Sequence, residues 1–175
     1  MYSVISERES RLDYTIERVI ADFELMTDWE DRYSYLIELG KGLPEFSSED
    51  RTEHTMVHGC VSQVWMSFCV KDELEEPTLL IRGASDSTIV CGIIFLLILI
   101  YSEKPLSVVK TINPEPVFEK LKLREHLTPQ RSNGISALIL RINQKTAKLS
   151  SLLEKNERHN TYPPNTTTTT RATLA

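Results

Sequence analysis

The segment MVHGCVSQVWM, residues 56–66, sets a thiol directly behind a glycine and ahead of a run that reads as a strand. A cysteine acts as nucleophile or metal ligand through its thiolate. The chain has three cysteines, Cys60, Cys69 and Cys91. An odd number, with no CxxC spacing, disfavours both a disulfide framework and a zinc site. A lone cysteine is by default a small buried hydrophobe. Three local features set Cys60 apart from that default. Gly59 permits a tight turn or the close approach of another backbone. His58 stands two residues away, on the same side of an extended chain, where it would lower the thiol pKa or act as a base; its plainer reading is a solvent-facing loop histidine. The position itself is a loop-to-strand junction, where reactive groups are held on a firm scaffold. Packing of Cys60 against Val61, Trp65 or Phe68 is expected.

The remaining candidates are weaker. Cys69 and Cys91 read as packing cysteines. Asp86 is first a helix cap and second a contact for a partner. Arg131 lies near a helix start, where a cation opposes the helix dipole; an exposed side chain at a frayed end is its simple explanation. The chain contains no glycine-rich phosphate loop, no nucleophile elbow and no HExxH, so neither nucleotide binding nor zinc hydrolysis has support.

Several elements must position these residues. Leu12, Ile16, Val19, Ile20 and Phe23 recur at helical spacing and predict a helix over 7–26. TDWE at 27–30 has the form of a capping box with Thr27 as N-cap. The following helix would turn Trp29, Tyr33, Leu36 and Ile37 inward, with Gly40 and Gly42 as a left-handed stop before Pro44. Residues 43–54 read as a polar loop. After Cys60 the apolar spacing fits a helix or a strand. KDELEEP as a hairpin connection and TLLIRG as its return favour strands. The run IVCGIIFLLILIY, whose 13 residues fall short of the ~20 needed to span a bilayer, reads as a helix buried on all sides or as a core strand; Ser85, Asp86 and Ser87 as caps favour the helix, over about 87–102. Asn113-Pro114 opens a short helix to about Leu123. A long final helix carries Ile135, Leu138, Ile139 and Ile142 on one stripe, and Gly134 near its start implies close approach of something to the backbone. The segment 159–175, rich in threonine, reads as a disordered tail.

At 175 residues with 41% hydrophobic and 26% charged residues, the chain reads as one ordinary globular domain. A net charge of −5 argues against nucleic acid. Eight acids face three bases between Asp28 and Glu53, and eleven bases face five acids between Lys104 and Arg158. That asymmetry marks differently solvated faces or steers a charged protein partner. The N-terminal MYSVISERES lacks a signal-peptide core, so a reducing cytoplasm is expected.

Four stretches occur in this order: DWEDRYSYLIELGKGLP, VHGCVSQVWM, GASDSTIVCGIIFLL and FEKLKLREHLTPQRSNGISALI. Together they resemble the SufE family, sulfur acceptors that work with cysteine desulfurases in iron–sulfur cluster assembly, over roughly residues 20–145. The resemblance implies an α+β fold, a three-stranded antiparallel sheet with helices packed on it, similar to the IscU scaffolds, here spanning residues 1–158. The cysteine of the family's GCxSxVW motif falls on Cys60 and would receive sulfur as a persulfide. Gly59 and His58 flank it, and Asp86 and Arg131 would lie on the partner-facing surface. The implied partners are a pyridoxal-phosphate-dependent, SufS-like cysteine desulfurase and a SufBCD-like downstream scaffold. No cofactor, metal, nucleic acid or membrane is implied for this chain, and homodimer formation is left open. The protein would be a sulfur-transfer accessory with a covalent intermediate rather than a stand-alone enzyme. Two alternatives stand beside this: a desulfurase activator that takes no sulfur, and an iron–sulfur or metal scaffold.

Overall fold

The apolar run at Ile89–Tyr101 decides the architecture, because a helix with no polar face must be covered on all sides. The computed structural model of the protein describes residues 14–71 and 76–160. In chain order it has helices α1 (Ile16–Leu25) and α2 (Trp29–Lys41), strands β1 (Val64–Lys71) and β2 (Thr78–Ser85), and the apolar helix α3 (Thr88–Tyr101). Strand β3 (Lys104–Pro105) and helices α4 (Leu106–Val109), α5 (Glu115–Lys120), α6 (Leu123–His126) and α7 (Pro129–Asn160) follow. No helix among the described residues is long and apolar enough to cross a membrane.

Helix α3 is the centre of the core. Ile94, Leu96 and Leu97 are inaccessible to solvent. Helix α2 lies against one side of it at backbone-to-backbone distance. A Cβ on Gly92 would stand 2.1 Å from the carbonyl oxygen of Leu36, and one on Gly40 would stand 2.7 Å from the amide nitrogen of Gly92. This corrects the expected role of the first two glycines: Gly42, at the C-cap of α2, has φ −76° rather than a left-handed conformation, and Gly40 lies inside the helix as part of its contact with α3.

The sheet covers another side of α3. Strands β1 and β2 pair antiparallel from Val64↔Ser85 to Lys71↔Thr78, and β3 adds only Thr78↔Pro105 and Leu79↔Lys104. The order is β1-β2-β3, so the sheet is the expected three-stranded antiparallel one in an α+β fold. Val64, Met66, Leu79 and Ile81 point into the core, and Gly83 lets the Ile94 side chain approach the strand, since a Cβ there would lie 2.9 Å from it. The hairpin tip at 72–75 lies outside the described residues.

Boundaries moved for local reasons. Helix α1 starts at Ile16, capped by the Thr15 hydroxyl accepting the Arg18 N–H at 3.2 Å; residues 7–13 of the expected helix lie outside the described ones. Asp28, not Thr27, is the N-cap of α2, and no side chain caps it, so the TDWE box does not form. Ser87 is the N-cap of α3, also without a side-chain bond; Asp86 is engaged elsewhere. The single helix expected up to Leu123 is broken in two, with Lys122 left-handed at φ 52° between α5 and α6. Arg124 secures this region: it forks onto Glu115 at 2.6 and 2.8 Å and donates to the carbonyl of Ser132 and the hydroxyls of Ser132 and Ser136. Such bidentate pairs combine energy with fixed geometry. Helix α7 buries Ile135, Leu138 and Ile142, leaves Ile139 half-buried, and runs through Asn160, past the expected boundary at 158. Residues 161–175 of the expected tail lie outside the described residues.

Candidate functional site

Cys60 sits at the tip of a hairpin-like loop whose base is fixed by main-chain pairing. Met56 bridges Trp65, Val57 donates to Val64 at 2.8 Å, and Met66 donates to Thr55 at 2.7 Å. The chain reverses between Val57 and Val64, and Gly59 allows it by adopting φ +93°, a conformation that costs other residues roughly 1–2 kcal/mol.

The loop lies along α7. Gly134, Ala137 and Arg141 are spaced by three and four residues, which puts them on one helix face. Gly134 and Ala137 meet the loop itself, and Arg141 meets the segment that leads into it. The Cys60 thiol donates to the Gly134 carbonyl oxygen at 3.7 Å, and a Cβ on Gly134 would lie 3.4 Å from the sulfur. A Cβ on Gly59 would lie 3.4 Å from that of Ala137. Arg141 donates from Nη2 to the His54 carbonyl oxygen at 2.6 Å. The close approach anticipated at Gly134 is therefore to the thiol itself.

The outgoing side of the loop is tied to the end of β2. Asp86 Oδ1 accepts the Gln63 N–H at 3.0 Å, the Asp86 N–H donates back to the Gln63 carbonyl at 3.2 Å, and the Ser85 hydroxyl donates to the same carbonyl at 2.8 Å. Asp86 is thus a loop anchor, not the helix cap expected from its position.

A cavity of about 20 Å³ adjoins the thiol, walled by Val90, Ile93, Ile135 and Leu138, with Arg131 at its rim. That is room for about one water-sized atom. Of the three walls expected, Val61 lines the cavity although it is 78% exposed, and neither Trp65 nor Phe68 does. Cys60 is half-buried, and burial pushes its thiol pKa up. The carbonyl dipole of Gly134, aimed at the sulfur, also favours the thiol over the thiolate. Arg131 is exposed in the first turn of α7, where the Thr128 hydroxyl accepts its N–H at 3.4 Å.

The structure brings Cys60, Gly59 and Arg131 together at the start of α7, with Asp86 behind the loop. His58 lies on the outer side, its Nε2 2.9 Å from Glu53 Oε1, both largely exposed. Cys69 is exposed on β1, not packed as expected, because its side chain falls on the strand face away from α3. Cys91 is half-buried near Gly40, with its thiol donating to the Ser85 carbonyl at 3.5 Å. Among the described residues no group of three or more His, Cys, Asp or Glu side chains is placed to hold a metal ion. Sequence reasoning missed Gln63, Ala137 and Arg141. For the last two, the only signal was their spacing from Gly134.

A family model described as SufE, an Fe-S metabolism associated domain, matches residues 17–146. An uncharacterized SufE-like protein of Rhizobium etli is 40% identical over 131 residues, which cover 75% of this chain and 88% of that protein. Another from Rhizobium meliloti is 41% identical over 128 residues, covering 73% and 91%. A solution structure of a hypothetical protein from Thermus thermophilus superposes with a TM-score of 0.61 at 19% identity, covering 78% of this chain and 96% of that one. This last likeness concerns the fold alone.

Proposed function

We propose that this chain, which belongs to the SufE family of Fe-S metabolism associated domains, accepts sulfur on Cys60 from a pyridoxal-phosphate-dependent cysteine desulfurase and delivers it to iron–sulfur cluster assembly. The observation that carries the reading is the setting of Cys60. A solitary thiol stands at the tip of a loop pinned at its base, beside a cavity about one atom wide.

The chemistry is thiol–persulfide exchange. Cys60, as thiolate, attacks the outer sulfur of a persulfide on the partner's cysteine. A new sulfur–sulfur bond forms at Cys60, the partner's sulfur–sulfur bond breaks, and the partner's cysteine leaves as thiolate. The proton on the outer sulfur travels with it, so electrons and protons balance without an added oxidant or reductant. Rate depends on thiolate fraction and nucleophilicity, and is best for a thiol with a pKa near ambient pH. Half-buried on α7, Cys60 is held above that range. Leaving α7 for a more polar surface would lower it, so the thiol is quiet alone and active when docked. A solitary cysteine suits a carrier, since a thiol within reach would attack the persulfide and release sulfide. A reducing cytoplasm keeps all three thiols free.

The test is to incubate the full chain with a SufS-like desulfurase and cysteine and to map added mass. Wild type gains one sulfur atom on the Cys60 peptide, while Cys60→Ser gains none and no longer stimulates the desulfurase. Sulfur on Cys69 or Cys91 instead refutes the assignment. Full stimulation by Cys60→Ala makes the protein an activator rather than an acceptor.

A further inference from the structure

Helix α7 presents one face that runs on past the thiol. Gly134, Ala137, Arg141, Lys145, Lys148 and Leu152 follow one another by three or four residues, so they form a single stripe about 27 Å long. Its inner end is covered: Gly134 meets the Cys60 thiol, and Ala137 lies under Gly59. Arg141 marks the end of that cover, with Nη2 on the His54 carbonyl oxygen. Lys148 and Leu152 lie beyond it and are exposed, Leu152 by 48%.

The outer part of the stripe is charged in a way the fold itself does not use. From Pro129 to Leu153 the helix carries Arg131, Arg141, Lys145 and Lys148 and no acid. Among the described residues none of the three on the stripe makes an ion pair. Like charges three or four residues apart destabilise a helix. Lys145 is half-buried, and its pKa is held below the ordinary lysine value, first by desolvation and then by Arg141 and Lys148. The helix dipole gives these cations nothing in return, because its pull is confined to the last turn and the helix continues to Asn160. Carboxylates on a partner would relieve the repulsion, since charged surfaces meet where their potentials are complementary. Leu152 offers such a partner an apolar contact at the outer end.

We infer that this stripe is a docking surface for the cysteine desulfurase, which lays an acidic segment along α7 with carboxylates against Lys145 and Lys148 and an apolar side chain on Leu152. Position selects that occupant. A protein that engages the Cys60 thiol arrives at Gly134, and about 21 Å further along the same face it meets Lys148. The choice of a desulfurase rests on the acceptor reading above, but the docking is tested apart from sulfur transfer.

The experiment measures binding of the full chain to a SufS-like desulfurase by calorimetry, with no cysteine supplied, so that no sulfur moves. Lys145→Glu with Lys148→Glu reverses the stripe, and Lys145→Gln with Lys148→Gln neutralises it. Lys110→Glu with Lys120→Glu makes the same change in net charge on exposed residues of other elements. At ~50 mM salt, reversal should weaken binding at least about tenfold, neutralisation about threefold and the control pair less than about twofold. At ~500 mM salt, where the Debye length falls to a few ångströms, all three should converge on wild type. Absence of binding by wild type, no effect of reversal, or equal weakening by the stripe and control pairs overturns the inference. So does a melting temperature of the neutralised variant well below that of wild type, which would show the lysines holding the fold. Self-association that reversal abolishes, with desulfurase binding unchanged, would give the face to a second copy of this chain and overturn it as well. Desulfurase binding that follows the stripe, in a chain that gains no sulfur at Cys60, would end the acceptor reading and leave the docking surface standing.

Discussion

The thiol of Cys60 and the main-chain oxygen of Gly134 meet across 74 residues of sequence, at 3.7 Å, because the helix carries no side chain at that point. A Cβ there would be in ordinary contact with the sulfur at 3.4 Å. Gly134→Ala is therefore tolerated. It removes a helix penalty of up to about 1 kcal/mol, so denaturant unfolding should show equal or slightly higher stability, and Cys60 should remain slow to alkylate. Gly134→Leu adds carbons that have nowhere to go and displaces the loop. Its Cys60 should alkylate at the rate of exposed Cys69. If both variants behave alike, the thiol does not rest on this helix.

Gly92 makes the sharper demand. Its Cβ would stand 2.1 Å from the Leu36 carbonyl oxygen, and a backbone cannot yield that distance without moving α2 off α3. Gly92→Ala should cost about 3 kcal/mol, at the upper end for overpacking a core. Gly42→Ala should cost less, because the nearest atoms its Cβ would meet, the Phe95 ring edge at 3.1 Å and the Leu39 carbonyl oxygen at 3.2 Å, stand well beyond the contact at Gly92. Thermal unfolding of the two variants checks the ranking. Equal losses would mean that the helix crossing is not set by Gly92.

Periodicity made most of this architecture legible. The spacing at Val64–Val70 fits helix or strand and was settled by the returning run TLLIRG, the capping residues ahead of the apolar run favoured a covered helix there, and the stripe at Ile135, Leu138 and Ile142 placed α7 against the core. Strand β3 was legible only through family resemblance, because two residues carry no pattern. The glycines of α2 were misread because a helix-ending glycine and a helix-crossing glycine look identical until the crossing partner, Gly92, is in place. At the site, Gly134 signalled close approach, but nothing in the sequence said to what. Asp86 could be seen as a side chain needing a partner, yet its partner is the main chain of Gln63, and backbone groups leave no trace in residue type. Arg141 was invisible for the same reason, since it binds a carbonyl.

Asp86 anchors the outgoing limb of the loop through one side-chain oxygen, Oδ1, on the Gln63 N–H. The charge is incidental to that bond, and the acceptor is essential. Asp86→Asn keeps an acceptor in the same place and should fold and protect Cys60 as wild type does. Asp86→Ala loses it and should destabilise the protein by about 1 kcal/mol, the typical net value of one such bond. Cys60 alkylation should rise as the limb loosens. Urea midpoints and alkylation rates on the two variants separate acceptor from charge; if Asn fails with Ala, the charge itself matters.

Burial raises the Cys60 thiol above its ordinary value of 9.0, and the sign of its effect on stability follows. The folded protein holds this proton more tightly than the unfolded chain does. Its contribution to stability is complete below the ordinary value and is lost as pH climbs through the raised folded value. Cys91 is raised in the same direction, mainly by burial, and burial takes Tyr101 to about 12, so some alkaline loss persists whatever happens at Cys60. Between about pH 8 and about pH 10, urea unfolding of wild type should therefore lose stability more steeply than Cys60→Ser, which lacks one of these titrating groups. The alkylation rate of Cys60 in the native protein should rise across the same interval, with its midpoint above that of the protein unfolded in urea. Identical slopes for wild type and Cys60→Ser would show that the thiol titrates alike in both states and is not sheltered on α7.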